Sequence, residues 1–159
     1  MPEAAVDFAV VAYREEGLWQ VATLPPRVAE ALDTLVPALR VWPADTGALG
    51  LVSVDEDFFV LVRVLGAQVR LLLSDVTAAS EWPLARQVLE TLELPEPDDD
   101  EEPAPAGDLG IVADLGLSAM DLGVLCDDIE LYPDEALGDV ARKLGFERQF
   151  RAAVDAVAV

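Results

Sequence analysis

The chain has 159 residues and a mass of 17.0 kDa, is 53% hydrophobic, and carries 31 acidic against 10 basic residues for a net charge of −21. So one-sided a field repels phosphate backbones and draws basic surfaces or cations, while a mean hydropathy of +0.32 gives enough apolar side chains for a core and sets the chain apart from disordered acidic proteins. With no histidine and one cysteine, Cys126, Ser-His-Asp and Cys-His catalysis, a His/Cys zinc site and an intramolecular disulfide are all excluded, and carboxylates are left as the acid/base groups.

The first third alternates with period two. Val6, Phe8 and Val10 fall on one face, Asp7, Ala9 and Val11 on the other, and Glu15-Glu16-Gly17 turns the chain into Leu18–Ala22, which makes a β-hairpin. Pro25-Pro26 ends the second strand and opens a helix expected from about Arg27 to Arg40, striped by Val28, Ala31, Leu32, Leu35 and Leu39, with Pro37 bending it or ending it early. Leu49–Val54, Phe58–Leu65 and Gln68–Ser74 read as three more strands. Asp55-Glu56-Asp57 makes the first of their turns and Gly66-Ala67, glycine first, the second, with a type II′ signature. Ser80 is expected to cap a helix through Glu81, Trp82 and Pro83 to about Leu92.

Residues 95–107 change character, with prolines and acids in place of a core, and read as a solvated, extended linker. Beyond it the pattern is helical. Ser118 and Asp121 resemble a capping pair for a helix to about Leu125, and Pro133-Asp134-Glu135 opens a second helix with Leu137, Val140, Ala141 and Leu144 on one face. Gly145 stops that helix, and Phe146, Phe150, Ala153, Val154 and Val157 stripe a terminal one. The fold expected is α+β: a five-stranded antiparallel sheet in the order ββαβββα, two helices over its buried face, then a small helical C-terminal part. The boundaries are 1–94 for the sheet domain, 95–107 for the linker and 108–159 for the helical region. Protease is expected to cut the linker first and leave a stable fragment near residues 1–94. Apolar runs such as Phe58–Val62 fall far short of the roughly 20 residues that span a bilayer. Met1-Pro2-Glu3-Ala4-Ala5 lacks the features of a secretory signal, so a cytoplasmic location is expected.

Charge is concentrated as well as large. Residues 87–141 hold 17 of the acids and none of the bases, whereas Arg142, Lys143, Arg148 and Arg151 make the last 18 residues net positive. Within that window Asp98, Asp99, Asp100, Glu101 and Glu102 form a run between prolines that lacks the glycine hinge and distal glutamate of a calcium loop, so it reads as a solvated spacer and a candidate partner-binding surface. Asp127, Asp128 and Glu130, between two helices, are candidates for partner binding or, in an alternative reading, for divalent-cation chemistry. Asp55-Glu56-Asp57 forms an acidic knob. Trp42 and Trp82, at helix ends beside Pro43 and Pro83, are packed caps or interface anchors. Arg63 and Arg70 face each other across the Gly66-Ala67 hairpin and mark the solvent face of the sheet or a basic stripe.

Five stretches carry a family resemblance: Phe8–Gly17, Gly47–Phe59, Ser74-Asp75-Val76-Thr77, Ala113–Met120 and Tyr132-Pro133-Asp134-Glu135. They resemble the tRNA adenosine deaminase-associated proteins of high-GC Gram-positive bacteria, over almost the whole chain. The nine-to-one excess of arginine over lysine accords with a GC-rich genome. Nucleobase deaminases hold zinc in a His-x-Glu and Pro-Cys-x-x-Cys setting that this sequence lacks. The resemblance therefore implies a non-catalytic accessory or regulatory protein associated with a tRNA adenosine deaminase, without cofactor or metal, while the charge of −21 points to a basic protein partner and away from nucleic acid and the short apolar runs point away from a membrane. The rivals are a carboxylate- and cation-dependent enzyme and a housekeeping domain unrelated to the deaminase.

Overall fold

A computed structural model describes residues 6–42, 47–98, 100–128 and 130–158. Pro43, Asp99 and the side chain of Val157 lie outside the described residues. The chain runs β1 (Val6–Glu15), β2 (Leu18–Leu24), α1 (Leu32–Arg40), β3 (Ala48–Val54), β4 (Phe58–Leu65), β5 (Gln68–Leu73), α2 (Pro83–Thr91), β6 (Ala106–Gly107), α3 (Ala119–Asp127), α4 (Pro133–Leu144) and α5 (Glu147–Ala158). The architecture is α+β, with one antiparallel sheet in the order β2-β1-β3-β4-β5-β6. It has one strand more than the five expected, because Ala106 and Gly107, at the end of the linker, pair with Leu73 and Leu72. Gly107 sits at φ +113°, and a Cβ there would run into the Leu71 carbonyl.

The sheet is covered on both faces, not on one. Every residue of β3 and all of β4 up to Val64 are buried. On the first face Val11, Val52, Val60, Val62 and Leu73 pack against Leu35 and Leu39 of α1 and Leu84, Val88 and Leu89 of α2. Gly50 lets α1 come close, since a Cβ there would press on Leu39. On the second face Phe8, Val10, Leu49, Leu51, Leu61 and Leu72 pack against Ile111, Leu137, Val140, Leu144, Phe146 and Phe150. Phe150 meets Phe8 edge-on at 5.7 Å and Trp19 lies over Phe146 at 4.8 Å. The expected two helices over one face are thus half of the covering, and the C-terminal helices supply the rest.

Arg63 and Arg70 do face each other in register, but neither marks a solvent face. Arg63, 4% exposed, donates from Nη1 to the Ile111 carbonyl (2.8 Å) and Asp114 Oδ1 (2.5 Å) and from Nη2 to Asp114 Oδ2 (2.9 Å). Arg70 donates from Nε to Asp108 Oδ2 (2.6 Å) and from Nη2 to the Gly110 carbonyl (2.9 Å). Two strand arginines thereby fasten residues 108–114 across the second face.

Local details differ from the sequence reading at two helix starts. The expected 27–40 helix is a 3₁₀ turn, Pro26–Glu30, and then α1, with Ala31 extended between them (φ −148°, ψ 147°). The Leu32 amide donates to Gln87 Oε1 of α2 at 2.7 Å, which satisfies the restart, and Pro37 lies inside α1 without ending it. Ser80 ends a 3₁₀ turn, Val76–Ser80, capped by Asp75, and α2 opens at Pro83 with Trp82 in the cap position. The Ser118 cap of α3, the Pro133 start of α4 and the left-handed Gly145 stop are found as expected.

Candidate functional site, an acidic cleft at one end of the sheet

At the β3–β4 end of the sheet, four stretches distant in sequence enclose a cleft of about 210 Å³: the residues after the Asp55-Glu56 turn, the start of the 3₁₀ turn after β5, Pro103 of the linker, and the α3–α4 connection. They bring Asp57, Asp75 and Asp128 to its lining, with Phe58, Leu125 and Leu131 among the apolar walls. Each carboxylate is held by local chemistry. Asp75 Oδ1 accepts from the Thr77 amide (2.9 Å) and hydroxyl (2.6 Å), and Asp128 Oδ1 accepts from the Glu130 amide (3.0 Å). Asp57 follows a tight turn in which Asp55 and Glu56 both take positive φ, 53° and 49°, a geometry suited to Asn or Gly. Asp7 holds that turn, its Oδ2 accepting from the Glu56 amide (2.8 Å) and the Ser53 hydroxyl (2.9 Å). The linker is pinned beside it by the Val76 amide, which donates to the Ala104 carbonyl at 2.8 Å.

The electrostatics are uniformly negative. The Asp57 carboxyl is raised above its ordinary 3.8, first by desolvation in the cleft and then by the charges of Asp75, Asp55 and Glu81. Among the described residues no ion pair reaches Asp57, Asp75 or Asp128. The Cys126 thiol, also in the lining, is pushed up to about 12 by burial and then by Asp127, so it stays protonated and is a poor nucleophile at neutral pH. Among the described residues no group of three or more His, Cys, Asp or Glu side chains is arranged to hold a metal ion. A cleft of mixed apolar and carboxylate walls suits an organic cation, since a guanidinium pairs with carboxylate oxygens and stacks on apolar side chains.

Of the residues singled out in the sequence, Asp128 lines the cleft. Asp127 ends α3, and both it and Glu130 are exposed. Asp98, Asp100, Glu101 and Glu102 are exposed in the linker, the last of them directly before Pro103 of the lining; Asp99 lies outside the described residues. Trp82 is half-buried against Phe58, their rings 6.3 Å apart. Trp42 is half-buried against Tyr13 at 5.3 Å, beside the β4–β5 hairpin end of the sheet. That end lies roughly 23 Å from the cleft, by the rise of the eight-residue β4. Asp57 entered the sequence reading as part of the Asp55-Glu56-Asp57 acidic knob, and Asp75 only as a resemblance residue. The Asp-x-Thr spacing of 75–77 was the signal available for Asp75, since that pattern favours a side-chain capped turn.

A profile of the Rv3753c-like tRNA adenosine deaminase-associated proteins matches residues 7–147. The chain belongs to that family. It is also 40% identical over 151 residues to Protein Rv3753c of Mycobacterium tuberculosis (strain ATCC 25618 / H37Rv), an alignment that covers 93% of this chain and 87% of the relative. No solved structure matches the chain significantly. Asp57, Asp75, Cys126 and Asp128 all fall within the part matched to the Rv3753c-like family. The same part includes the Arg63–Asp114 and Arg70–Asp108 fasteners. No helix among the described residues is long and apolar enough to cross a membrane.

Proposed function

We propose that this protein is a non-catalytic, cytoplasmic accessory subunit or regulator of a tRNA adenosine deaminase and that it binds a basic surface of that enzyme with its acidic end. The observation that carries this reading is the cleft lined by Asp57, Asp75 and Asp128, which no ion pair among the described residues neutralises, with exposed Glu101 and Glu102 just before its Pro103. A lysine or arginine of the partner would supply the missing charge. Direct tRNA binding is opposed by the net charge of −21, because phosphate contacts require positive side chains. The family description, deaminase-associated, supports a partner of the enzyme over the enzyme itself. A deaminase must hold tRNA on a basic surface, so an acidic protein bound there competes with the substrate.

The test is a binding measurement against the tRNA adenosine deaminase of the same organism, at low and high salt. Association should weaken steeply with salt, since exposed charges are screened over about 8 Å at physiological ionic strength. Neutralising Asp98, Asp99, Asp100, Glu101 and Glu102 together should slow association, whereas Asp57→Asn with Asp128→Asn should speed dissociation. No binding at any salt refutes the reading, as does adenosine-to-inosine turnover by the purified protein alone.

A further inference from the structure

Helix α3 leaves more apolar surface outside than a surface helix usually does. Such helices turn their apolar residues inward and their charged ones outward. Here Leu122 is buried and Leu125 and Cys126 pack against the second core, but Met120 is 80% and Val124 62% exposed. Four residues apart, these two side chains stack along one face, a turn from each other. Asp127 continues that face and Asp121 flanks it, both exposed, and exposed Asp128 and Glu130 follow in the connection to α4. Tyr132, 60% exposed, stands at the cap of α4. Three of the seven large exposed hydrophobics among the described residues therefore lie within 13 residues of chain, in the window that contains no lysine or arginine.

We propose that the outer face of α3 is the docking surface for an amphipathic helix of a partner protein, a helix whose apolar stripe is flanked by lysine or arginine. The proposal rests on the accessory reading above and names the recognition element. The apolar pair supplies a short ridge for the stripe, with methionine able to adapt to its neighbours. The carboxylates on either side pair with the flanking bases. A second copy of this chain set face to face here would oppose acid to acid, and an anionic lipid surface would be repelled by the same carboxylates. Exposed Asp128, directly after α3, also lines the cleft, so the acidic rim of this surface and that of the cleft share a residue.

The experiment uses the full chain and two probes. One is the tRNA adenosine deaminase of the same organism. The other is a pair of synthetic Leu/Lys peptides of identical composition, one with leucines at helical spacing and one scrambled. The patterned peptide should bind at least tenfold tighter than the scrambled one. Met120→Gln with Val124→Thr should abolish that preference without altering net charge, and Asp121→Asn with Asp127→Asn should weaken both peptides. Should the double apolar variant unfold, Met120→Gln alone makes the same comparison at a side chain that is 80% exposed. Equal binding of the two peptides, or an undiminished preference in the variant, overturns the proposal. Deaminase that binds wild type and variant alike also overturns it while leaving the accessory reading intact. Deaminase that binds neither refutes the accessory reading, and the peptides then decide the α3 surface by themselves.

Discussion

The two faces of the sheet are covered by different means. On the first, α1 and α2 lie between or directly after the strands they cover, and their contact is an apolar cluster with Leu35, Leu39 and Leu89 at its centre. On the second, the covering arrives from beyond an acidic proline-rich stretch. It is aligned by polar fasteners, Arg63 to Asp114 and Arg70 to Asp108, before α4 and α5 bury Phe146 and Phe150. A helix connected locally is positioned by its short links, whereas a distant segment needs directional contacts to choose its place on a large apolar surface.

The largest effect that could break this comparison is removal of the second covering. A 1–94 fragment, expected from the sequence to be stable, would expose Leu49, Leu51, Phe59, Leu61 and Leu72, so it should instead aggregate or melt without cooperativity, and a sharp melt with native-like near-UV circular dichroism would restore the sequence expectation and show the first face to be self-sufficient. Cleavage confined to 98–102 in the intact protein should leave two pieces that co-elute on a sizing column, because the apolar contact persists. Next come single core truncations. Phe150→Ala should cost about 3–5 kcal/mol and Leu35→Ala about 2–5 kcal/mol by urea unfolding, comparable losses that would mark the faces as equal parts of one cooperative unit.

How much of this could be read in the sequence depends on the contact. The first five strands, their turns, the Ser118, Pro133 and Gly145 punctuation and the antiparallel α+β class were legible because each rests on local chemistry, whereas β6 is made by pairing with a distant strand. The second face was legible in principle. Phe58-Phe59-Val60-Leu61-Val62 does not alternate, which is the pattern of a strand covered on both sides, but two nearby amphipathic helices accounted for only one face. Arg63 looked solvent-facing since a charge in a strand usually is, and its partner Asp114 lies 51 residues on, a pairing no local pattern encodes. The cleft was legible only in fragments for the same reason: Asp57, Asp75 and Asp128 come to one lining solely through tertiary packing.

Smaller effects sharpen the polar side of the comparison. Asp114→Ala leaves the buried guanidinium of Arg63 short of its bidentate acceptor and should cost about 1–3 kcal/mol at neutral pH. The hydrogen bond from Arg63 holds the Asp114 carboxyl below its ordinary 3.8. The stabilisation is therefore present above that value and lost as pH falls through the lower folded value, so wild type and variant should converge in acid melts. Asp57 behaves with the opposite sign. Its raised carboxyl makes ionisation unfavourable in the fold, and stability is lost as pH rises from 3.8 through the folded value. Asp57→Asn should accordingly raise the melting temperature slightly at neutral pH and leave it unchanged below pH 3.8, and no gain at neutral pH would mean that the cleft is well hydrated.

The proline-rich stretch along β5 has one more effect. A bare sheet edge is a template on which another chain can add a strand and begin a fibril. Here β5 gives its last hydrogen bonds to Ala106 and Gly107, and the segment outside it contains Pro103 and Pro105, which have no amide hydrogen to pass the ladder on, preceded by carboxylates that repel a like-charged newcomer. The segment that carries the chain from one face to the other thus also makes that border of the sheet, in a protein more than half hydrophobic, a poor template for a further strand.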